Sequence, residues 1–368
     1  TQYLMKFKKT NLYENHKSLK GNMVNFAGFL LPTHYSSIKE EHLSVRHFAG
    51  LFDVSHMGEI IIEGPNAKRF LQFITTNDID LLSYGKAQYS TVCNDEGGIL
   101  DDVLIYQKQK NYMMVVNASN KQKIVKWLNA HALKDVNIRD ISDEIGLIAI
   151  QGPKSIKILD KALNLNLNKL PFYRFIDKKV KDTNLIISRT GYTGELGFEL
   201  FIPNNKVSYF WNRLLQYGKN MGLKPAGLGC RDTLRLEMKF SLYGNDINDK
   251  INPMEAGLGW LVKFKKGNFI GRNALLKFKN AGKNKSICIE MIEKAIPRSG
   301  YQIFFKNVCI GYVTSGTMSP SLSKGIAIGM IDKEFSKTGN LVTIKIRGKE
   351  KKGKIIKSPF YKLGTMLN

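Results

Sequence analysis

The 368-residue sequence predicts an α+β protein whose body mixes helices and strands and whose C-terminal end is all β. Two observations carry this reading. Up to about residue 285, segments with helical spacing of apolar residues alternate with short strand-like runs. Beyond that point the texture changes to short strands punctuated by Gly, Ser and Pro, the pattern of a small barrel or jelly roll. The length allows two or three domains, and no internal repeat or low-complexity linker divides the chain.

Taken in order, residues 40–49 read as a helix, with His42, Val45 and Ala49 near one side. EIIIE (59–63) is a strand ended by Gly64-Pro65, and NAKRFLQF (66–73) is helical. Gly97-Gly98 turns into the strand ILDDVLIYQ (99–107), and YMMVVN (112–117) pairs with it. Residues 121–132 form a helix. A strand at 145–150, a helix at 154–162, strands at 184–188 and 199–202 and a helix at 207–215 follow. The terminal β module draws on 286–291, 301–305, 311–314, 326–330 and 341–346.

Composition excludes several classes. No apolar run approaches the ~20 residues of a membrane span. The basic start at 1–9 lacks the apolar stretch of a signal peptide. Cys93, Cys230, Cys288 and Cys309 lie far apart, and the six histidines form no ligand pattern, so no metal is expected. The net charge of +25 invites a nucleic-acid reading. Its lysines are spread along the chain, however, with no basic stripe interleaved with stacking aromatics. Abundant Lys, Asn and Ile is also what an AT-rich genome yields. Attraction to an acidic protein partner or a polyanionic cofactor tail is the functional alternative.

Three motifs could hold chemistry. In NDEGGILDDV (94–103) two carboxylates open an apolar strand. Alternation puts Asp101 with Ile99, Val103 and Ile105, and Asp102 with Leu100, Leu104 and Tyr106. Either carboxylate is costly to bury unless hydrogen-bonded, so the place suits a tuned acid as well as a satisfied turn. RTGYTGELGFE (189–199) offers three glycines for close backbone approach, the ring of Tyr192, and Glu195, a carboxylate suited to two parallel N–H donors. It equally suits a plain glycine turn between strands. GLGCRDTLRLE (227–237) opens a helix with Arg231 and Arg235 on one side. Arg231 sits near the positive helix end and calls for an anion, either Asp232 or Glu237 or a ligand's carboxylate. DVSHMG (53–58) crowds Asp, Ser and His too tightly for a hydrolase triad.

These strings, with LYENH (12–16), FAGFLLPTHY (26–35), LFDVSHMGE (51–59), TTNDI (75–79), VVNASN (115–120) and IQGP (150–153), resemble the T-protein family of the glycine cleavage system. LYGNDI (242–247), MEAGLGW (254–260), FIGR (269–272), TSGTMSP (314–320) and PFY (359–361) continue the likeness to the C-terminus. Cys230, Met318 and Phe29 stand where relatives usually carry alanine, phenylalanine and tryptophan, which alters no charge.

The resemblance implies a three-domain cloverleaf around a central tetrahydrofolate channel. Its parts would be 1–52 with 142–225, 53–141 with 226–281, and a β-barrel or jelly roll at 282–368. It implies Asp101 as the catalytic carboxylate and Glu195 on the pterin. Asn117, Val116, Tyr89, Met57, Tyr192 and Arg231 would complete the folate site. The implied reaction moves the methylene of an S-aminomethyl-dihydrolipoyl H protein to tetrahydrofolate, releasing ammonia, in bacterial cytoplasm or mitochondrial matrix. The implied partners are the lipoylated H protein and tetrahydrofolate, with no nucleic acid and no membrane. A folate-dependent demethylase on the same scaffold is the near rival. Folate-binding proteins of iron–sulfur maintenance are disfavoured, because Gly191 stands where they carry cysteine.

Overall fold

The computed structural model describes residues 7–367; residues 1–6, most of the basic start, and residue 368 lie outside it. Two sheets stack face to face between helices. The first orders its six strands Phe175–Val180, Thr183–Ser188, Gly197–Pro203, Ile145–Gln151, Ala49–Asp53 and Leu223–Pro225. The second orders five: Lys86–Cys93, Ile99–Gln107, Tyr112–Val116, Gly58–Glu63 and Asn137–Asp140. Their facing sides share one core, with Phe52, Leu147, Ala149 and Phe201 from the first meeting Ile61, Tyr106, Met113 and Val115 from the second. The outer face of the first sheet is covered by the Ser155–Leu163 and Val207–Gly218 helices. The outer face of the second is covered by Ala67–Ile74 and Lys121–Ala130. Apolar residues on both faces of each sheet dictate this layering, since each face must be buried.

The C-terminal module is a closed barrel of six strands, in the order Asn284–Met291, Lys324–Asp332, Val308–Ser319, Gln302–Phe305, Leu341–Ile346 and Lys349–Ile356. Of the two shapes expected, the barrel is the one formed. The first expected helix runs Ile38–His47, because Ser37 caps it by accepting from Glu40 N, and Ala49 already opens a strand. The strand Lys86–Cys93 was not expected. Its buried residues Gln88 and Ser90 on one face and Thr91 on the other are polar, and they bond the 76–78 turn: Gln88 to Asp78 O, Ser90 to Asn77 N and Thr91 to Thr76. Period-2 apolar patterning cannot register such a strand.

Candidate active site

The two aspartates of the GGILDD turn part company. A bulge opposite Val92–Cys93 shifts the strand at its start, so Leu100 joins Val103 and Ile105 in the helix-side core rather than siding with Asp102. From Asp101 onward the alternation holds. Asp101 is fully buried and accepts from Asn117 N (3.0 Å), Asn117 Nδ2 (2.8 Å) and Asn120 Nδ2 (2.6 Å). Asp102 is half-buried on the side facing the first sheet, accepting from Tyr89 Oη (2.9 Å) and Asn117 Nδ2 (2.8 Å). Asn117 therefore ties both carboxylates together. Burial and then their mutual repulsion push the pair upward, so it holds a proton to higher pH than an isolated aspartate. Burial and the neighbouring Asp102 keep the Tyr89 hydroxyl protonated, as a donor must be.

Register aligns Tyr89, Leu104, Val115 and Glu59 in one row on the face that Asp102 shares. Glu199, half-buried, projects from the opposite sheet in the row of Ala149, with Thr190 Oγ1 donating to it at 2.5 Å. Burial raises Glu199; Thr190 and the charge of Arg231 oppose that. Tyr173 lies between the two ends, its hydroxyl pushed up by burial and by the fields of Glu199 and Asp102. Arg231 stands 4.6 Å over the Tyr192 ring, which is fixed by its hydroxyl donating to Ser241 O (2.5 Å). Among the described residues the Arg231 guanidinium has no hydrogen bond or ion pair. Both anions proposed for it from sequence are engaged elsewhere: Asp232 with Arg235 (2.7 Å) and Glu237 with Arg46 (2.8 Å). At the rim the Trp260 indole is 61% exposed, 6.3 Å from the Tyr89 ring.

Tyr89, Asn117, Met57, Tyr192 and Arg231 are thus half-buried around one recess. Three expected site residues are not. Asp101 is sealed behind Asp102. Val116 is fully buried in the core against the helices, because odd and even residues of its strand face opposite ways. Glu195 is 3% exposed, and its carboxylate is spent: Oε1 accepts from Arg46 Nη1 (2.8 Å), and Oε2 from Thr365 N (3.1 Å) and Oγ1 (2.5 Å). That ion pair belongs to an interdomain clamp. Arg46 also donates to Glu237, which holds Ser319 and Ser321 of the barrel, while Tyr361 lies 4.1 Å over Arg46.

Sequence reading weighed Asp102 beside Asp101 but carried only Asp101 to the site, and it did not single out Glu199, Tyr173 or Trp260, which the structure brings to the same place. Glu199 had a signal, since it lies four residues beyond Glu195 in the same motif, with buried Phe198 and Leu200 on either side. Two more polar groups sit unpartnered nearby. Glu59 is 1% exposed with neither oxygen hydrogen-bonded, and burial raises it well above the carboxylate range. Burial and the charge of Arg231 push His56 down to about 4, and its Nδ1 lacks a partner.

The family model described as the GCVT N-terminal domain matches residues 12–266, and that of the glycine cleavage T-protein C-terminal barrel domain matches 284–362. The chain belongs to the glycine cleavage T-protein family. It is 47% identical to the aminomethyltransferase of Caldanaerobacter subterraneus subsp. tengcongensis, over 96% of each chain. It is 45% identical to that of Bacillus subtilis, over 96% of this chain and 99% of the other. The solved structure of glycine cleavage system aminomethyltransferase T from Bartonella henselae superposes with a TM-score of 0.92 at 32% identity, over 98% of this chain and 99% of that one. Membership of this family makes the chain an aminomethyltransferase and leaves no support for the demethylase reading. Among the described residues no helix is long and apolar enough to cross a membrane, and no group of His, Cys, Asp or Glu gathers as metal ligands.

Proposed function

We propose that the protein transfers the methylene of an aminomethylated lipoyl arm, carried by a partner H protein, to tetrahydrofolate, with Asp102 rather than Asp101 at the reacting centre. The observation that carries this is the half-open recess with Asp102, Asn117 and Tyr89 on one sheet and Glu199 and Arg231 facing them. The donor set suits a folate. Glu199 offers a carboxylate to a pterin's parallel N–H donors, Tyr89, Tyr173 and Tyr192 offer ring surfaces, and unpaired Arg231 offers a cation to an anionic tail. When bound, tetrahydrofolate supplies the nitrogens that accept the one-carbon unit.

The chain's own contribution is placement and electrostatics. Asn117 fixes the Asp102 carboxylate through Nδ2, and Tyr89 fixes its other oxygen. So held, Asp102 orients the reacting nitrogen and stabilises positive charge as it develops. Asp101, saturated by three N–H donors, anchors Asn117 from behind. Excluding water from the recess strengthens each of these interactions. The bacterial relatives support a bacterial cytoplasmic setting.

The test is formation of methylenetetrahydrofolate and ammonia from aminomethyl-loaded H protein by wild type, Asp102→Asn and Glu199→Gln. The expectation is wild-type turnover, a collapse of kcat in Asp102→Asn with folate still bound, and weakened folate binding in Glu199→Gln. Tight folate binding without wild-type turnover would reject the transfer reaction.

A further inference from the structure

Lys266 lies outside the recess, yet its amine is committed more completely than that of any site residue. Nζ donates to the carbonyl oxygens of Gln72 (2.6 Å), Thr75 (2.5 Å) and Asn77 (2.8 Å). Those oxygens belong to the end of the Ala67–Ile74 helix and the turn after it, where exposed carbonyls and the helix dipole favour a cation. Burial pushes the amine down to about 7, but the fields of Asp78 and Asp80 and three carbonyl acceptors, one for each N–H, favour its charged form. We propose that Lys266 is a positioning residue for the Asp102 site, its ammonium stapling the segment that carries Trp260 to the turn that supports Tyr89.

The path runs through a chain of hydrogen bonds. Asn77 Nδ2 donates to Tyr89 O (2.8 Å), Asn77 N to Ser90 Oγ (3.0 Å) and Thr76 N to Thr91 O (3.0 Å), so the turn fixes the middle of the Lys86–Cys93 strand. Tyr89 in turn donates to Asp102 at 2.9 Å. On the other side, Lys263 N donates to Thr76 O (3.0 Å), so residues 263–266 grip the turn twice, and Trp260 lies three residues upstream of that grip. Without the ammonium, three carbonyls lose a donor in a place largely closed to water, and the turn relaxes toward solvent. Tyr89 and Trp260 then lose their common anchor.

This inference rests on the proposed transfer reaction for its catalytic arm only. Lys266→Met is expected to speed amide hydrogen exchange at Thr76, Asn77 and Lys263, to lower kcat/KM at least roughly tenfold, and to move the acid limb of the pH profile upward. The limb moves because Asp102 loses a hydrogen bond that favours its ionised form. A second variant, Lys266→Cys in a Cys309→Ser background, removes the one exposed thiol among the four cysteines. Alkylation with 2-bromoethylamine restores an ammonium at lysine length and should restore activity, whereas alkylation with iodoacetamide should not. Unchanged exchange at the three amides overturns the proposal whether or not the wild type turns over. Normal kcat/KM, an unmoved acid limb, or no recovery after complete aminoethylation overturns it equally. A wild type without turnover would reject the transfer reaction, and the exchange measurement would still decide whether Lys266 holds the turn.

Discussion

The molecule buries charge in two regions that look alike in sequence and differ in one physical respect. In the interdomain clamp, Arg46 meets Glu195 and Glu237, and each carboxylate oxygen there has a donor. Beside the recess, Glu59 and His56 hold buried polar atoms that no side chain or backbone group satisfies among the described residues, and the half-buried Arg231 guanidinium has only the Tyr192 ring. Both regions are lined by glycine-rich motifs. A folded protein leaves a buried polar group unpartnered at a cost of about 1–3 kcal/mol each. Single unpartnered atoms also occur in the core, as at Trp211 Nε1, so it is their gathering beside a guanidinium without an anion that points to a ligand, whereas a closed network marks architecture.

The largest effect expected on this comparison separates the two aspartates. Asp102→Asn should lower kcat by roughly 10²- to 10⁴-fold with stability little changed. Asp101→Asn should instead reduce stability, because its amide places N–H groups against the Asn117 and Asn120 donors. Steady-state rates beside urea unfolding of both variants read this directly. Equal rate losses with equal stability would erase the distinction between open and sealed carboxylate. In the clamp the order reverses. Arg46→Met strands two buried glutamates, so a stability loss of about 3–5 kcal/mol is expected, with kcat per folded molecule nearly intact. A loss below about 1 kcal/mol would mean the clamp behaves like a surface pair.

Much of the fold was legible because apolar periodicity survives wherever a face is buried: the Ile99–Gln107 and Tyr112–Val116 hairpin and the terminal barrel strands follow from it. What escaped had physical reasons. Lys86–Cys93 buries polar side chains against a turn, so its pattern carries no apolar period. In the site, pattern located both acidic motifs but could not choose within them. Asp101 and Asp102 differ only in which face they present, and a one-residue bulge upstream blurs that face. Glu195 and Glu199 differ in their partners, and Arg46 and Thr365 are 149 and 170 residues from Glu195 in the chain. Long-range bonding of that kind is invisible to local spacing.

The clamp also has a pH signature opposite in sign to that expected beside the recess. Burial raises Glu237, but hydrogen bonding from His42 and the charge of Arg46 outweigh it and hold the carboxyl down to about 2. His42 is itself pushed down by burial, so Arg46 is the lasting positive charge. A depressed folded pKa contributes stability above the unfolded value of about 4.3, and that contribution is lost as pH falls from there toward about 2. Glu237→Gln should therefore flatten the acid limb of stability in that window, by at most about 3 kcal/mol. Unfolding midpoints between pH 5 and 2.5 test it, and parallel curves for variant and wild type would remove Glu237 from the acid response.

Glu59 should show the opposite sign and the smallest effect. Its carboxyl is held protonated by burial without a hydrogen-bond partner, so the folded state binds a proton that the unfolded state releases above about pH 4.3. Stability is then greatest below that value and falls as pH rises through the window to the folded pKa. Glu59→Leu removes both the titration and the unsatisfied oxygens, while its apolar neighbour Val115 stays in place. The variant should be more stable than wild type by about 1–2 kcal/mol at neutral pH, and the gain should shrink as pH falls toward about 4, where the titration part disappears. A ligand that uses Glu59 would make folate affinity fall as stability rises. If Glu59→Leu gains stability with folate affinity unchanged, Glu59 belongs with neither region, and an unpartnered group is a poorer marker of the ligand face than Arg231 suggests.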